Sequence, residues 1–205
     1  MVTHASMPTR RALLGALTAT PVATLAVTPI RSPWLDTLAP LYEAYDDVPV
    51  SLVRTRAGRR LSLARYRTAR VFFPRDPFPT SGGWHDFLYY AGITAQLGLS
   101  AHLLDVGFPD AWCARHIGLR VAKSLAYANA TGFGHDCPDM SRLASVLTPY
   151  WIWNRPVLLG DPSPDDGGFA HERVAALLHA LLNHVGAVTG HQDCSRRQRK
   201  EPRDA

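Results

Sequence analysis

The sequence lacks the short motifs that identify several classes of enzyme. It contains no Gly-x-Ser-x-Gly elbow, no glycine-rich phosphate loop and no His-Glu-x-x-His pair. Charged residues make up only 19% of the chain against 46% hydrophobic residues, and the mean hydropathy is −0.09. These values exclude a disordered chain, a collagen-like repeat and a multi-span membrane protein. The 205 residues suffice for one core of ordinary size, and we expect a binding protein rather than an enzyme.

Positive charge is concentrated in three short segments. The formal net charge is +5. Residues 1–30 carry two arginines and no acid, and residues 193–205 carry five basic against three acidic residues, so each segment contributes +2 and residues 31–192 carry +1. The third segment lies inside the domain, where eight arginines and no acidic residue occur between Arg54 and Arg75. The pI of 9.4 therefore describes the termini and this segment more than the whole surface.

The arginine-rich segment is the strongest candidate for a contact surface. Guanidinium groups form paired hydrogen bonds with phosphates and carboxylates, so we expect an acidic protein, anionic lipid headgroups or a nucleic acid as the partner. A solvated strand face is the alternative, because a charge run needs only water. The residues predicted to bind are Arg54, Arg56, Arg59, Arg60, Arg65, Arg67 and Arg70.

The first thirty residues have the pattern of an export signal. Residues 12–30 have no charged side chain. This stretch follows directly on Thr9, Arg10 and Arg11, and Leu14 lies near its start. This pattern resembles a bacterial twin-arginine (Tat) signal peptide, which implies that the folded protein is exported to the periplasm. Two prolines interrupt the apolar stretch, so cleavage fits better than a permanent membrane helix. A cytoplasmic chain with an N-terminal helix is the alternative.

Three parts are predicted: a signal peptide over residues 1–30, a mainly α-helical compact domain over residues 31–192, and a basic, disordered tail over residues 193–205. Within the domain, Leu61 and Leu63 alternate with Ser62, which predicts a short β-hairpin near residues 50–70 that turns near Gly58. Hydrophobic spacing predicts one helix after Ser32-Pro33 and further helices over Trp84–Leu97, Asp110–Asn129, Met140–Leu147 and Glu172–Val188. The aromatic run over residues 150–153 is expected either in the core or as a stacking platform.

Two cysteines and two histidines have a spacing that a zinc ion accepts. Cys113 and His116 stand one helical turn apart, and His135 and Cys137 follow in a predicted loop. Thiolates and imidazoles are the ligands of tetrahedral zinc, so these four residues are a candidate metal site. A disulfide between Cys113 and Cys137 and simple packing of both side chains are the alternatives. Cys194 leaves the number of cysteines odd.

Two segments have the glycine-centred pattern of a helix-turn-helix. They cover residues 93–104, with Gly98 at the turn, and residues 116–121, with Gly118 at the turn. In this motif the second helix reads DNA, and the arginine-rich segment would supply phosphate contacts. A cytosolic DNA-binding regulator is therefore the second functional hypothesis, and a small zinc-stabilised or metal-dependent protein is the third.

Overall fold

A computed structural model describes residues 33–74, 83–148, 150–154 and 165–191. This part of the chain is mainly α-helical, with seven helices packed compactly and no strand among the described residues. The predicted signal peptide with Arg10 and Arg11, the predicted basic tail and Cys194 lie outside the described residues. The helices are α1 (Leu35–Tyr45), α2 (Arg56–Phe72), α3 (Gly83–Val106), α4 (Asp110–Trp112), α5 (Val121–Ala130), α6 (Pro138–Val146) and α7 (His171–Thr189).

The predicted β-hairpin is wrong, because residues 56–72 form helix α2. Thr55 caps this helix, and its hydroxyl accepts a hydrogen bond of 2.9 Å from the Gly58 amide. Gly58 therefore lies in the first helical turn rather than in a hairpin turn. Ser62, Tyr66 and Ala69 are buried at spacings of four and three, which is the period of a helix. The alternation around Ser62 covers only three residues, whereas the helical spacing of buried residues extends along a 17-residue helix. The longer pattern therefore determines the secondary structure.

Helix α3 is the central helix of the described residues. It runs for 24 residues, is buried on most of its surface, and packs against α2, α5, α7 and the 3₁₀ turn Tyr150–Asn154. The predicted end of this helix at Leu97, just before Gly98, is wrong, since the helix continues to Val106. A Cβ atom at Gly98 would lie 2.9 Å from Leu182 Cδ2, so this glycine permits a close approach of α7 rather than ending α3. The helix ends at Gly107, whose φ is 112°.

The predicted helix over Asp110–Asn129 is interrupted in the structure. Helix α4 continues as a π-helical turn, Cys113–Ile117, and Gly118, with a φ of 59°, turns the chain before α5 begins. Residues at helical spacing on both sides of the break are buried, namely Cys113, Ile117, Val121, Leu125 and Ala128. Glycine accepts a positive φ without steric cost, so the chain can break between two amphipathic segments.

Neither predicted helix-turn-helix has the required geometry. Residues 93–104 lie within the unbroken helix α3, so the first segment has no turn. The second segment does turn at Gly118, but no residue of the following helix α5 is exposed. A recognition helix must present its side chains to a DNA groove. We therefore correct this prediction for both segments.

The remaining helices lie close to their predicted positions. Helix α1 begins at Leu35, shortly after Ser32-Pro33, and ends at Asp46, whose φ is 51°. Helices α6 and α7 match the predicted ranges within two residues, and Gly190 with a φ of 70° ends α7. Among the described helices, none is both long and apolar enough to span a membrane.

Candidate functional site

Helix α2 carries a basic face, defined here by Arg56, Arg59, Arg60, Arg67 and Arg70. These residues fall within about 100° of the helix circumference, so they lie on one side of the helix, and all five are exposed. The helix contains no acidic residue. The buried residues of α2 lie beside this face and pack against the core, which holds the basic face at the surface.

The basic face is only partly neutralised by other residues. Arg59 donates to Asp105 Oδ1 at 2.7 Å and to the Thr189 carbonyl at 3.2 Å, and the Arg70 guanidinium lies 6.0 Å from the centre of the Tyr66 ring. Within the described residues, Arg56, Arg60 and Arg67 form no ion pair with an acid.

The structure brings five of the seven predicted binding arginines together and separates the other two. Arg65 lies roughly 160° around the helix from Arg67 and pairs with Asp110 at 3.3 Å. Arg54 precedes the N-cap of α2 and is exposed. The observed basic face is thus narrower than the predicted contact surface, because helical geometry places Arg65 on another side of the helix.

A second candidate site is built around the buried carboxylate of Asp47. Lys123 Nζ lies 2.9 Å from Oδ1 and 2.7 Å from Oδ2, and the Tyr127 hydroxyl donates to Oδ2 at 2.6 Å. His116 Nδ1 lies 3.3 Å from Oδ1. Lys123 also donates to the His116 carbonyl at 2.8 Å. We call Asp47, His116, Lys123 and Tyr127 the Asp47 cluster.

The charged groups and hydrogen-bond donors of the Asp47 cluster compensate one another. Burial alone would raise the pKa of the Asp47 carboxyl, but hydrogen bonds from Lys123 and Tyr127 outweigh burial, and the pKa is lowered. Burial, followed by the hydrogen bond to Asp47, raises the pKa of Tyr127 above its ordinary value. Asp47 is therefore ionised and Tyr127 is a neutral donor at neutral pH. Lys123 is 3% exposed and forms a buried ion pair with Asp47. The Asp47 carboxylate and the His116 carbonyl both accept hydrogen bonds from its ammonium group.

A cleft of about 400 Å³ opens beside the Asp47 cluster. Asp47, His116 and Lys123 line one part of it, and two partly exposed aromatic rings, Tyr45 and Trp151, line another. Arg115 and Arg120 also line it, one on each side of the turn at Gly118. The size falls within the range of small-molecule sites.

No protein-family model, curated protein or solved structure significantly matches this chain. The function is therefore inferred from the geometry of the basic face and of the Asp47 cluster with its cleft.

The structure does not bring the four predicted zinc ligands together as a metal site. His116 belongs to the Asp47 cluster, and the His135 ring lies 5.4 Å from that of His184, measured between centres. Cys113 is buried, and this burial raises the pKa of its thiol to about 12, while Cys137 is the N-cap residue of α6. Within the described ranges, no three His, Cys, Asp or Glu side chains converge as metal ligands. Cys113 and Cys137 are free thiols, so the alternative disulfide is not formed.

Sequence reasoning missed Asp47, Lys123 and Tyr127. Asp47 follows the end of α1 and belongs to no recognisable motif, and Lys123 lies near the start of α5. Lys123 is the one charged residue of α5, and a lone lysine in an otherwise uncharged helix is a usable signal, because a buried ammonium group needs an anionic partner. The identity of that partner has no local signal, since Asp47 and Lys123 are 76 residues apart in sequence.

Proposed function

We propose that this protein is an exported binding module whose basic face docks on the anionic headgroups of a phospholipid surface. The observation that carries the proposal is the row formed by Arg56, Arg60 and Arg67, which is exposed and has no acidic partner among the described residues. Arginine recognises phosphate through two parallel hydrogen bonds. Helix α2 presents the row over a length of about 17 Å, which suits an extended surface rather than a single small anion.

Electrostatic attraction supplies most of the binding in this proposal. Each basic side chain near an anionic membrane surface contributes about 1 kcal/mol. Arg56, Arg60 and Arg67 therefore supply about 3 kcal/mol together, and this contribution weakens as salt screens the charges.

An exposed valine favours lipid over the other anionic partners considered above. Val71 is 75% exposed and lies four residues after Arg67, next to the basic face. A lipid headgroup region accepts an aliphatic side chain, whereas a nucleic-acid backbone offers it little contact. The geometry of the two helix-turn-helix segments, described above, gives no support to DNA reading through them.

Vesicle binding tests the proposal. Full-length protein is mixed with vesicles of phosphatidylcholine alone or with 30–40% phosphatidylglycerol, and the bound fraction is measured by sedimentation. We expect binding only to the anionic vesicles, and it should fall as salt is raised. The variant Arg56→Gln/Arg60→Gln/Arg67→Gln should bind about 100-fold more weakly, as expected from about 1 kcal/mol per arginine.

The matched control removes the same charge elsewhere. The variant Arg115→Gln/Arg120→Gln/Arg142→Gln should stay within about threefold of the parent protein, since only long-range attraction is lost. Equal losses in both variants would refute a specific basic face. Retention on duplex DNA without vesicle binding would replace the lipid proposal by the DNA-binding hypothesis.

Export is the second part of the proposal and is supported by the signal resemblance at Arg10 and Arg11. A reporter fused behind residue 30 should reach the periplasm, and changing both arginines to lysine should keep it in the cytoplasm. Cytoplasmic retention of the unchanged fusion would reject export without bearing on vesicle binding.

A further inference from the structure

The cleft beside the Asp47 cluster combines positive charge with aromatic surface. Asp47 is the only acidic side chain among the described residues that line it, against Arg115, Arg120 and Lys123. Because Asp47 is already held by Lys123, the charge of the two arginines is not offset inside the cleft. Neither Arg115 nor Arg120 forms an ion pair within the described part of the chain. The lining is therefore suited to an anion.

The aromatic side chains are suited to a planar group. Tyr45 and Trp151 are 40% and 38% exposed, and both line the cleft. Tyr45 is not free to move independently, since the Lys123 ammonium lies 4.6 Å from the centre of its ring and the Tyr127 ring lies 6.1 Å away. Partly exposed rings on a fixed support offer a stacking surface for a ligand ring.

The arginines are carried by a backbone segment of fixed geometry. Arg115 lies in the π-helical turn Cys113–Ile117, and π-helical turns occur frequently at functional sites. The Gly118 carbonyl accepts a hydrogen bond of 3.0 Å from Gln96, which ties the turn to helix α3. The Arg120 carbonyl accepts from Ser124 at 3.1 Å. A held backbone reduces the entropy that is lost when a ligand binds.

His116 adds a polar group to the lining. Its Nδ1 faces Asp47, and no described residue hydrogen-bonds its Nε2. The ring is stacked on Trp112 with centres 4.8 Å apart, so its orientation is set from two sides. Nε2 can thus serve a hydroxyl or phosphate oxygen of a ligand.

From these observations we infer that the cleft binds a small organic anion with a planar ring, namely a ring-bearing carboxylate or phosphate monoester. The guanidinium groups of Arg115 and Arg120 bind the anionic group. Tyr45 and Trp151 bind the ring. This site shares no residue with the basic face, so it can be tested independently of lipid binding.

Calorimetric titration of the full-length protein tests this inference. The probes are phenyl phosphate and benzoate, with benzyl alcohol as the neutral ring and inorganic phosphate and acetate as the ringless anions. We expect saturable binding at one site for at least one ring-bearing anion, at least tenfold tighter than for its neutral or ringless counterpart. Phenyl phosphate and benzoate then distinguish a phosphate from a carboxylate ligand.

Variants assign the binding to the cleft. Arg115→Gln/Arg120→Gln should weaken binding at least tenfold, while Arg56→Gln/Arg60→Gln, which removes the same charge from the basic face, should change it less than twofold. Trp151→Ala should reduce the preference for phenyl phosphate over inorganic phosphate, and Tyr45→Ala gives a second measurement of ring binding. Absence of saturable binding by both ring-bearing anions up to about 10 mM overturns the inference, as do equal losses in the two double variants.

Discussion

At the scale of single residues, Lys123 is a charged side chain that the fold buries. Its ammonium group is removed from water and is balanced by the Asp47 carboxylate, the His116 carbonyl and the Tyr45 ring. A buried pair of this kind contributes little net stability compared with apolar residues of the same shape. Removal of one partner is costly, because the other charge stays buried without compensation.

Lys123→Met is therefore expected to lower the free energy of unfolding by about 3–5 kcal/mol. The double variant Asp47→Asn/Lys123→Met should lose less than Lys123→Met alone, since no charge is left unpaired. Urea denaturation followed by circular dichroism measures both values. A double variant less stable than the single one would contradict the pairing of these two residues.

At the scale of the elements, helix α2 depends on its cap as well as on its buried side. The Thr55 hydroxyl satisfies an amide at the helix start that has no intrahelical partner. The same helix carries the basic face, so the cap holds the first arginines in helical register. Thr68 also has a hydroxyl, but it donates to the Ala64 carbonyl, which already belongs to the helix.

Thr55→Ala is expected to destabilise the protein by about 1 kcal/mol, the ordinary value of a lost N-cap. Thr68→Ala is the matched control and should change stability by less than about 0.5 kcal/mol, because the site is exposed and no unpaired amide is created. Thermal unfolding of both variants makes the comparison. An equal effect of the two changes would show that the cap is unimportant.

At the scale of the whole molecule, buried histidines couple stability to pH. Burial lowers the pKa of His102 to about 4, and burial also lowers the pKa values of His135 and His191. In the unfolded chain these groups take up protons near pH 6.5. Between these values the unfolded state binds more protons than the folded state, so stability decreases as pH falls.

We expect the free energy of unfolding to fall from about pH 6.5 toward pH 4, with roughly 3 kcal/mol of the loss arising from His102. Below the ordinary carboxyl pKa, protonation of Asp47, whose pKa is lowered in the fold, adds a further loss. Denaturation of His102→Gln across this range should show a shallower slope than the parent protein. An unchanged slope would exclude His102 as a source of the pH dependence.

Local patterns accounted for the helical class and for most helix positions. The spacing of buried residues in α5 and α7 repeats with the helical period, and the glycine after α7 stands where a helix end requires it. The arginines of the basic face were predicted as binding residues, and their placement on one side of a helix could also have been found from sequence, since they fall within about 100° at the helical period. That placement was missed because the short alternation around Ser62 favours a strand.

What the sequence alone determined is a mainly helical domain with its positive charge in a few segments, because helix period and charge are local properties of neighbouring residues. The tertiary structure alone decided which residues form a site. Asp47 meets Tyr127 across 80 residues of chain, and Gly98 serves packing against α7 rather than a helix end. Such contacts depend on how whole helices pack against α3, and no residue's immediate neighbours encode that geometry.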